Sequence, residues 1–396
     1  MEQNRSLTTN LPKGYKHTEI GVIPEEWEVV ILSRIVDFLD GQRRPIKSGN
    51  RIKGEYPYYG ASGVIDYVDD YIFNDELILL GEDGENILSR NLPLAFQVKG
   101  KIWVNNHAHV LKPTSDVNIT FLTEYLESLD YSLLNSGTAQ PKLNKQACIN
   151  ILVNLPSLPE QKAIAQVLSD TDNLIHALEK QITKKRLIKQ GAMQELLRPK
   201  KGWKVKKLGE IAEVRDGTHQ TPTYVKIGIP FYSVESVTNN DFINTKYITR
   251  EAHKSLTKKF RIERGDILMT RIGSIGDCKL IDWEVNASFY VSLALLKIKP
   301  GYSQSYICHY SKTSNFRKEA ELNSLQSAIP KKINLGPISN IIIEMPDYEE
   351  QTRIAAILSD MDKEIEALEK KLAKYQQLKQ GLMQNLLTGK IRLVSH

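Results

Sequence analysis

The residues best suited to chemistry in this sequence are few, and they do not assemble into a catalytic set. His107 and His109 flank Ala108 and would place two imidazoles on one face of an extended strand, as metal ligands sometimes are. No third ligand is in view, and the second half of the chain has Leu295 at roughly the place of His109. Asp66, Asp69 and Asp70 with Glu76 suggest a nuclease-like acidic cluster, but neither the accompanying lysine nor the strand spacing is evident, so a solvated acidic turn is expected. The sequence contains no GxxxxGKS or GxxxxGKT phosphate loop, no GxGxxG, no GxSxG elbow and no HExxH pair. It also lacks an NPPF, NPPY or DPPY tetrapeptide of the kind that marks an amino-methyltransferase. Cys148, Cys278 and Cys308 lie far apart without CxxC spacing, which argues against a zinc site and a disulfide framework. We therefore expect no catalytic residue and no metal in this chain.

What the sequence offers instead is hydrogen-bonding and cationic loops. Arginine and lysine suit phosphates and guanine edges, asparagine and glutamine suit adenine, and small hydroxyls suit either. After Asp40-Gly41 come Gln42, Arg43, Arg44, Lys47, Ser48, Arg51 and Lys53; after Asp216-Gly217 come Thr218, His219, Gln220, Thr221, Thr223, Tyr224 and Lys226. A second pair of loops, Gly81 to Asn91 and Arg271 to Cys278, contains Asn86 and Arg90 in one half and Arg271 and Ser274 in the other. Glycines in these loops allow a ligand to approach the backbone closely. A third pair holds Thr138, Gln140, Lys142 and Lys145, matched by Gln326, Ser327, Lys331 and Lys332. These loop residues are the expected DNA contacts.

The elements that must carry these loops are written twice. Leu155 to Lys200 and Met345 to Lys390 align without a gap, with about half the positions identical, a depth of self-similarity that marks an internal repeat. Each copy opens with a helix start: Ser157 lies three residues before Glu160, and Asp347 three before Glu350. In the second copy Ile354, Met361, Leu368, Tyr375 and Leu382 occupy one heptad position and Leu358, Ile365, Leu372 and Leu386 the other, interrupted by Lys379. The first copy keeps Ile164, Leu168, Ile175, Leu178, Ile182 and Leu196 but puts Thr171, Lys185, Lys189 and Ala192 into the same seam. A helix of about 40 residues rises roughly 60 Å, too long to pack inside one compact domain. Two such seams in one chain are expected to pack antiparallel on each other and to offer a second face to helices of a partner.

The preceding segments correspond more faintly. The stretch Trp27 to Gly41 matches Trp203 to Gly217, and Asp75 to Leu80 then pairs with Gly265 to Thr270 at a larger offset, so the second segment has an insertion after Gly217. Short β-rich runs alternate with turn signals and a few helical patches, which predicts an α+β fold with a mainly antiparallel sheet. The expected order is a globular domain over residues 1–154, a helix over 155–200, a second domain over 201–344, and a helix with a C-terminal tail over 345–396. This is a pseudo-twofold internal repeat.

At 396 residues, with 41% hydrophobic and 25% charged residues, the chain can build two folded domains. The excess of 53 basic over 47 acidic residues is too mild to decide anything alone. No apolar run approaches the roughly 20 residues of a membrane span, and the polar start lacks a secretory segment, so an intracellular, cytoplasmic protein is expected.

The combination resembles the specificity subunit of a Type I restriction-modification system over nearly the whole chain. The carriers are the two helices of pattern P-x-x-x-E-Q, L-S-D-x-D, A-L-E-K and K-Q-G-x-M-Q, the Trp-x-Val-x-x-Leu starts, and the Asp-Gly-x-His-x-Thr-Pro loop at Asp216 to Pro222. Tyr56 to Phe73 also resembles one large class of target-recognition domains. The resemblance implies that each globule reads one half of a split, double-stranded DNA target, while two conserved spacer helices set the separation. It further implies docking of two modification subunits, which would carry S-adenosylmethionine, and of a translocating restriction subunit, with no cofactor in this chain. Two other readings stay open on residues alone: a coiled-coil scaffold whose globules bind protein, and a recognition subunit serving a simpler methyltransferase-nuclease.

Overall fold

The computed structural model describes residues 11–137 and 140–393, so Thr138 lies outside the described residues. The chain divides into two compact units, and each takes part of both long helices. The first comprises the residues up to Glu179 and those from Lys370 on; the second runs from Lys180 to Glu369. These units do not follow the segments drawn from the sequence, because each globule closes its core with pieces of both helices.

The first unit is built on a six-stranded sheet of β1 (Val36–Phe38), β2 (Lys53–Gly60), β3 (Gly63–Val68), β4 (Phe73–Gly81), β5 (Ala95–Val104) and β6 (Ala108–Pro113). The strand order is β1-β6-β4-β5-β2-β3, antiparallel except where β2 meets β5. The unbroken apolar run in β4 is explained by burial on both faces: Ile78 and Leu80 enter one core cluster, Leu77 and Leu79 the other. Helix α1 (Ile119–Ser128), capped by the Asn118 side chain on the Phe121 amide, packs on the sheet and supplies Phe121, Leu122, Tyr125 and Leu126 to the first cluster.

The first long helix, α2, spans Leu158–Leu196. The second unit repeats the plan more economically, with β7 (Ala212–Asp216), β8 (Ile267–Thr270), β9 (Cys278–Leu280) and β10 (Leu293–Ile298) in the antiparallel order β7-β10-β8-β9. The insertion after Gly217 supplies three strands of a further four-stranded sheet, which Ser288–Phe289 completes. Helix α3 (Gln304–Tyr310) takes the place of α1, and the second long helix, α4, spans Tyr348–Leu386. Gln161 and Gln351 make identical clamps at the two helix starts, accepting from the amides of Asn118 and Ser303 and donating to the carbonyls of Pro156 and Pro346.

Asp347 caps α4 through the Glu350 amide as expected. Glu160 behaves differently. It lies buried beneath Trp27, whose Nε1 donates to it at 3.0 Å, and is gripped by the Arg392 guanidinium at 2.6 Å.

Within each unit the two helix segments run antiparallel. In the first, Ile164 and Leu168 share a core with Leu386 and Leu387, and Lys379 pairs with Asp172. In the second, Ile354 and Leu358 share a core with Leu197, while Arg186 and Lys189 pair with Glu369 and Asp362. Every expected seam residue is buried or half-buried: Ile175, Leu178, Ile182 and Ile365 fully, and Leu196, Met361, Leu368, Leu372, Tyr375 and Leu382 partly. The seam lysines of the first copy do not interrupt the pairing. Lys189 meets Asp362, and Lys185 meets Glu364 at 2.7 Å.

The last turn of α4 runs into a short tail that folds against the start of the first unit. Tyr15 donates its hydroxyl to the Gly389 carbonyl, and at Gly389, with φ at +72°, a Cβ would lie 2.4 Å from the Pro24 ring.

Candidate nucleic-acid interface

The Asp-Gly turns place the first loops at the ends of β1 and β7. In the second unit the turn is tight: a Cβ on Gly217 would fall 2.5 Å from the Tyr290 carbonyl oxygen, so only glycine fits. The second loops follow β4 and β8, and backbone bridges tie them to the third loops, Asp83 to Lys142 in one unit and Ile272 to Lys332 in the other. The Leu143 amide donates to the Glu82 carbonyl, and the Ile333 amide to the Arg271 carbonyl. Three loops therefore converge at one end of each sheet.

Many of the expected contact residues are exposed on these loops. Gln42, Arg44, Lys47, Ser48 and Lys53 are open on the first loop of the first unit, with Gln140, Lys142 and Lys145 on its third. His219, Gln220, Thr221, Thr223, Tyr224 and Lys226 are open on the first loop of the second unit, with Gln326 and Lys331 on its third and Lys332 half-buried.

Others are committed inside the fold. Arg43 is half-buried and donates to Glu82 and to the Ala108 carbonyl, both at 2.7 Å, and to the Asp40 carbonyl at 3.1 Å. Arg271 is buried, pairing with Asp216 at 2.5 Å and donating to the Ile333 carbonyl. Arg51 stacks on Tyr58 and pairs with Asp66, and Arg90 is held by Glu127 under helix α1. Asn86 braces the Leu92 backbone, Ser274 donates to Asp277, and Thr218 donates to the Gln220 carbonyl. Arg43 and Arg271 thus hold the loops rather than extend from them. The sequence shows their type, but their partners lie tens of residues away.

The two histidines do not form a ligand pair. His107 sits in a turn against Asp83, while His109 faces Asp40 at 2.8 Å and the Leu143 carbonyl at 2.8 Å. Both neighbours accept, so both ring nitrogens carry protons. Burial is the largest influence and opposes that charge, but the hydrogen bond to Asp40, together with Cys148 and the Leu143 carbonyl, outweighs it and pushes the His109 pKa up to about 10. The Asp40 carboxyl, despite its own burial, is held below the usual range by His109 and the Val110 amide. The loop bridges make Glu82 equivalent to Arg271, which shifts the expected strand correspondence by one residue and sets Leu80 against Met269; since Leu80 opposes His109 and Met269 opposes Ala294, Ala294 rather than Leu295 occupies the equivalent place.

The acidic residues are likewise dispersed. Asp66 serves Arg51, Asp70 accepts from the Tyr71 amide, and Glu76 accepts from Gln97. Among the described residues no group of three or more His, Cys, Asp or Glu side chains is placed to hold a metal ion. None of the described helices is long and apolar enough to cross a membrane.

Two features escaped the sequence reading. Lys258, Lys259 and Arg261 line a cavity of about 330 Å³ beside the Asp216-Gly217 turn; the run of cations within the insertion was the available signal. Lys101 lies over the rings of both Tyr56 and Tyr71, at 5.6 and 4.9 Å, a cation–aromatic cluster on the β2–β3 side of the sheet.

A family model described as the Type I restriction modification DNA specificity domain matches this chain twice, at residues 24–186 and 200–380. A putative type I restriction enzyme specificity subunit of Haemophilus influenzae is 26% identical over 91% of this chain and 92% of its own length. The type I restriction enzyme MjaVIII specificity subunit of Methanocaldococcus jannaschii is 27% identical, covering 94% of both chains. The crystal structure of the S subunit of a type I restriction-modification system from M. genitalium shares the fold at 14% identity. Its TM-score is 0.64, over 91% of this chain and 96% of that one.

Proposed function

Because this chain belongs to the Type I restriction-modification DNA specificity family, we propose that it is the sequence-reading subunit of such a complex, each globular half reading one part of a split duplex target. The observation that carries this reading is the duplicated site: two units present basic, amide- and hydroxyl-rich loops at the same ends of equivalent sheets. Cations on those loops neutralise phosphates and fix register, while Gln42, Gln220, Thr223 and their neighbours supply donors and acceptors for base edges.

The long helices set the length of the unread gap and dock two modification subunits. The exposed apolar side chains of Leu187, Ile188 and Leu378 support a partner surface on their outer faces. S-Adenosylmethionine and all bond-making chemistry reside in the partner subunits, a translocating restriction subunit completes the assembly, and the complex works in the cytoplasm.

Methylation-motif mapping in cells that express this chain with its modification partners tests the proposal. A bipartite motif with a fixed unread gap is expected, and replacing residues 201–344 by another recognition domain should change one half of it. A contiguous motif, or a change in both halves, would overturn the reading.

A further inference from the structure

In each unit a half-buried carboxylate on the first recognition loop is tied to the third loop through one cation. The first unit places Asp40 against His109 on β6, and the same imidazole donates through Nε2 to Leu143 on the third loop. The second unit places Asp216 against Arg271, whose Nε donates to Ile333 on the third loop. Asp40 and Asp216 end equivalent turns, and Leu143 and Ile333 hold equivalent places in the third loops. Only the cation has moved. Where the first unit has His109 on β6 and Glu82 just beyond the end of β4, the second has Ala294 on β10 and Arg271 just beyond the end of β8. Asp216, which pairs with that guanidinium, lies directly opposite Ala294 on the neighbouring strand.

We propose that this carboxylate–cation–carbonyl link is the positioning device of each half-site reader, so that Asp40 with His109, and Asp216 with Arg271, set base discrimination without touching DNA. The inference rests on the DNA-reading function proposed above. A base edge is discriminated only when the loop donor sits within hydrogen-bond distance and angle. Gln42 and Arg44 follow Asp40 by two and four residues, and Gln220 follows Asp216 by four, so the orientation of those side chains depends on where the turn is anchored. The link is directional because both cations are almost wholly withdrawn from solvent, His109 at 1% and Arg271 at 3% exposure, and each faces an acceptor on two sides. That two different cations make the same three-way connection argues for the connection, not the residue, as the required feature.

The test uses the full chain co-purified with its modification partners, in a binding selection over duplexes randomised in both half-sites. Asp40→Asn should lower discrimination at the first half-site about tenfold and leave the second as in the wild type, and Asp216→Asn should do the reverse. His109→Gln provides the same measurement if Asp40→Asn yields little folded complex, and Arg271→Lys, which keeps the charge but not the fork, should fall between wild type and Asp216→Asn. The salt dependence of binding to an unrelated duplex should be unchanged in all four. Unaltered discrimination with lowered thermal stability would reduce the link to a structural brace and overturn the proposal. A salt slope flattened by about one in His109→Gln would make the cation a phosphate contact, which also overturns it. A wild-type complex that prefers no sequence would instead overturn the underlying function.

Discussion

Lys379 reaches Asp172 across the paired helices at 2.6 Å, and Lys189 makes the same ion pair with Asp362 in the other unit. The two lysines occupy identical places in the duplicated helix, as do the two aspartates. In the first unit Glu124 on α1 joins the pair at 3.1 Å; in the second, His309 on α3 faces the helix at Ser359 instead.

Replacing Lys379 by Met should destabilise the first unit by roughly 2 kcal/mol, because it leaves two partly buried carboxylates without their shared cation. A cycle of Lys379→Ala and Asp172→Ala, followed by hydrogen exchange in residues 158–179, should give a coupling energy of about 1 kcal/mol or more. Strict additivity would show that the pair does not hold the helices together.

The second unit should lose stability in mild acid. Burial, reinforced by Lys312 and Lys189 and opposed by Asp362, lowers the pKa of His309 to about 4. The folded state thus favours the neutral ring; the contribution is complete above pH 6.5 and is lost as pH falls through 4, at a cost of at most ~3 kcal/mol. Denaturant titrations at pH 7 and pH 4.5 should show a larger fall for the wild type than for His309→Gln. Equal falls would exonerate this histidine.

Arg43 and Arg44 are adjacent in sequence and opposite in role. Arg44→Ala should weaken DNA binding and flatten its salt dependence with little change in melting temperature. Arg43→Ala removes three internal hydrogen bonds and leaves Glu82 short of a cation, so it should lower stability by about 1–3 kcal/mol as well as relax one half-site. Identical behaviour of the two variants in melting and binding would refute this division.

Arg392→Ala should destabilise the first unit by roughly 2 kcal/mol, since Glu160 is buried and would keep, among the described residues, the Trp27 indole as its remaining side-chain hydrogen-bond donor. The indole fluorescence of Trp27 should report the change, measured in a chain whose other tryptophans are phenylalanine. An unmoved unfolding midpoint would count against the tail as a clamp.

Much of the framework was legible because it rests on local or periodic signals. The heptads located the helices now seen at Leu158–Leu196 and Tyr348–Leu386, and the apolar runs at Asp75–Leu80 and Gly265–Thr270 located the central strands. The matched Asp-Gly turns located the loops. What one dimension does not carry is the pairing of charges distant in sequence. Arg43 and Arg271 read as solvent-facing cations because Glu82, 39 residues on, and Asp216, 55 residues back, are brought to them only by the sheet. The His107–His109 spacing suggested shared ligation for the same reason: the acceptor of each ring lies on another strand or loop.

The contact between Gly389 and Pro24 gives the chain a second way to be strung. In the second unit the end of α2 passes covalently, within six residues of Leu197, to Trp203; in the first, the end of α4 comes equally near Trp27 without a bond between them. A circular permutant, sewn shut across that seam by a short linker and cut open near Lys200, should therefore keep every core contact of both units. Its reading order along the gene would be reversed, while the order of half-sites it reads would not.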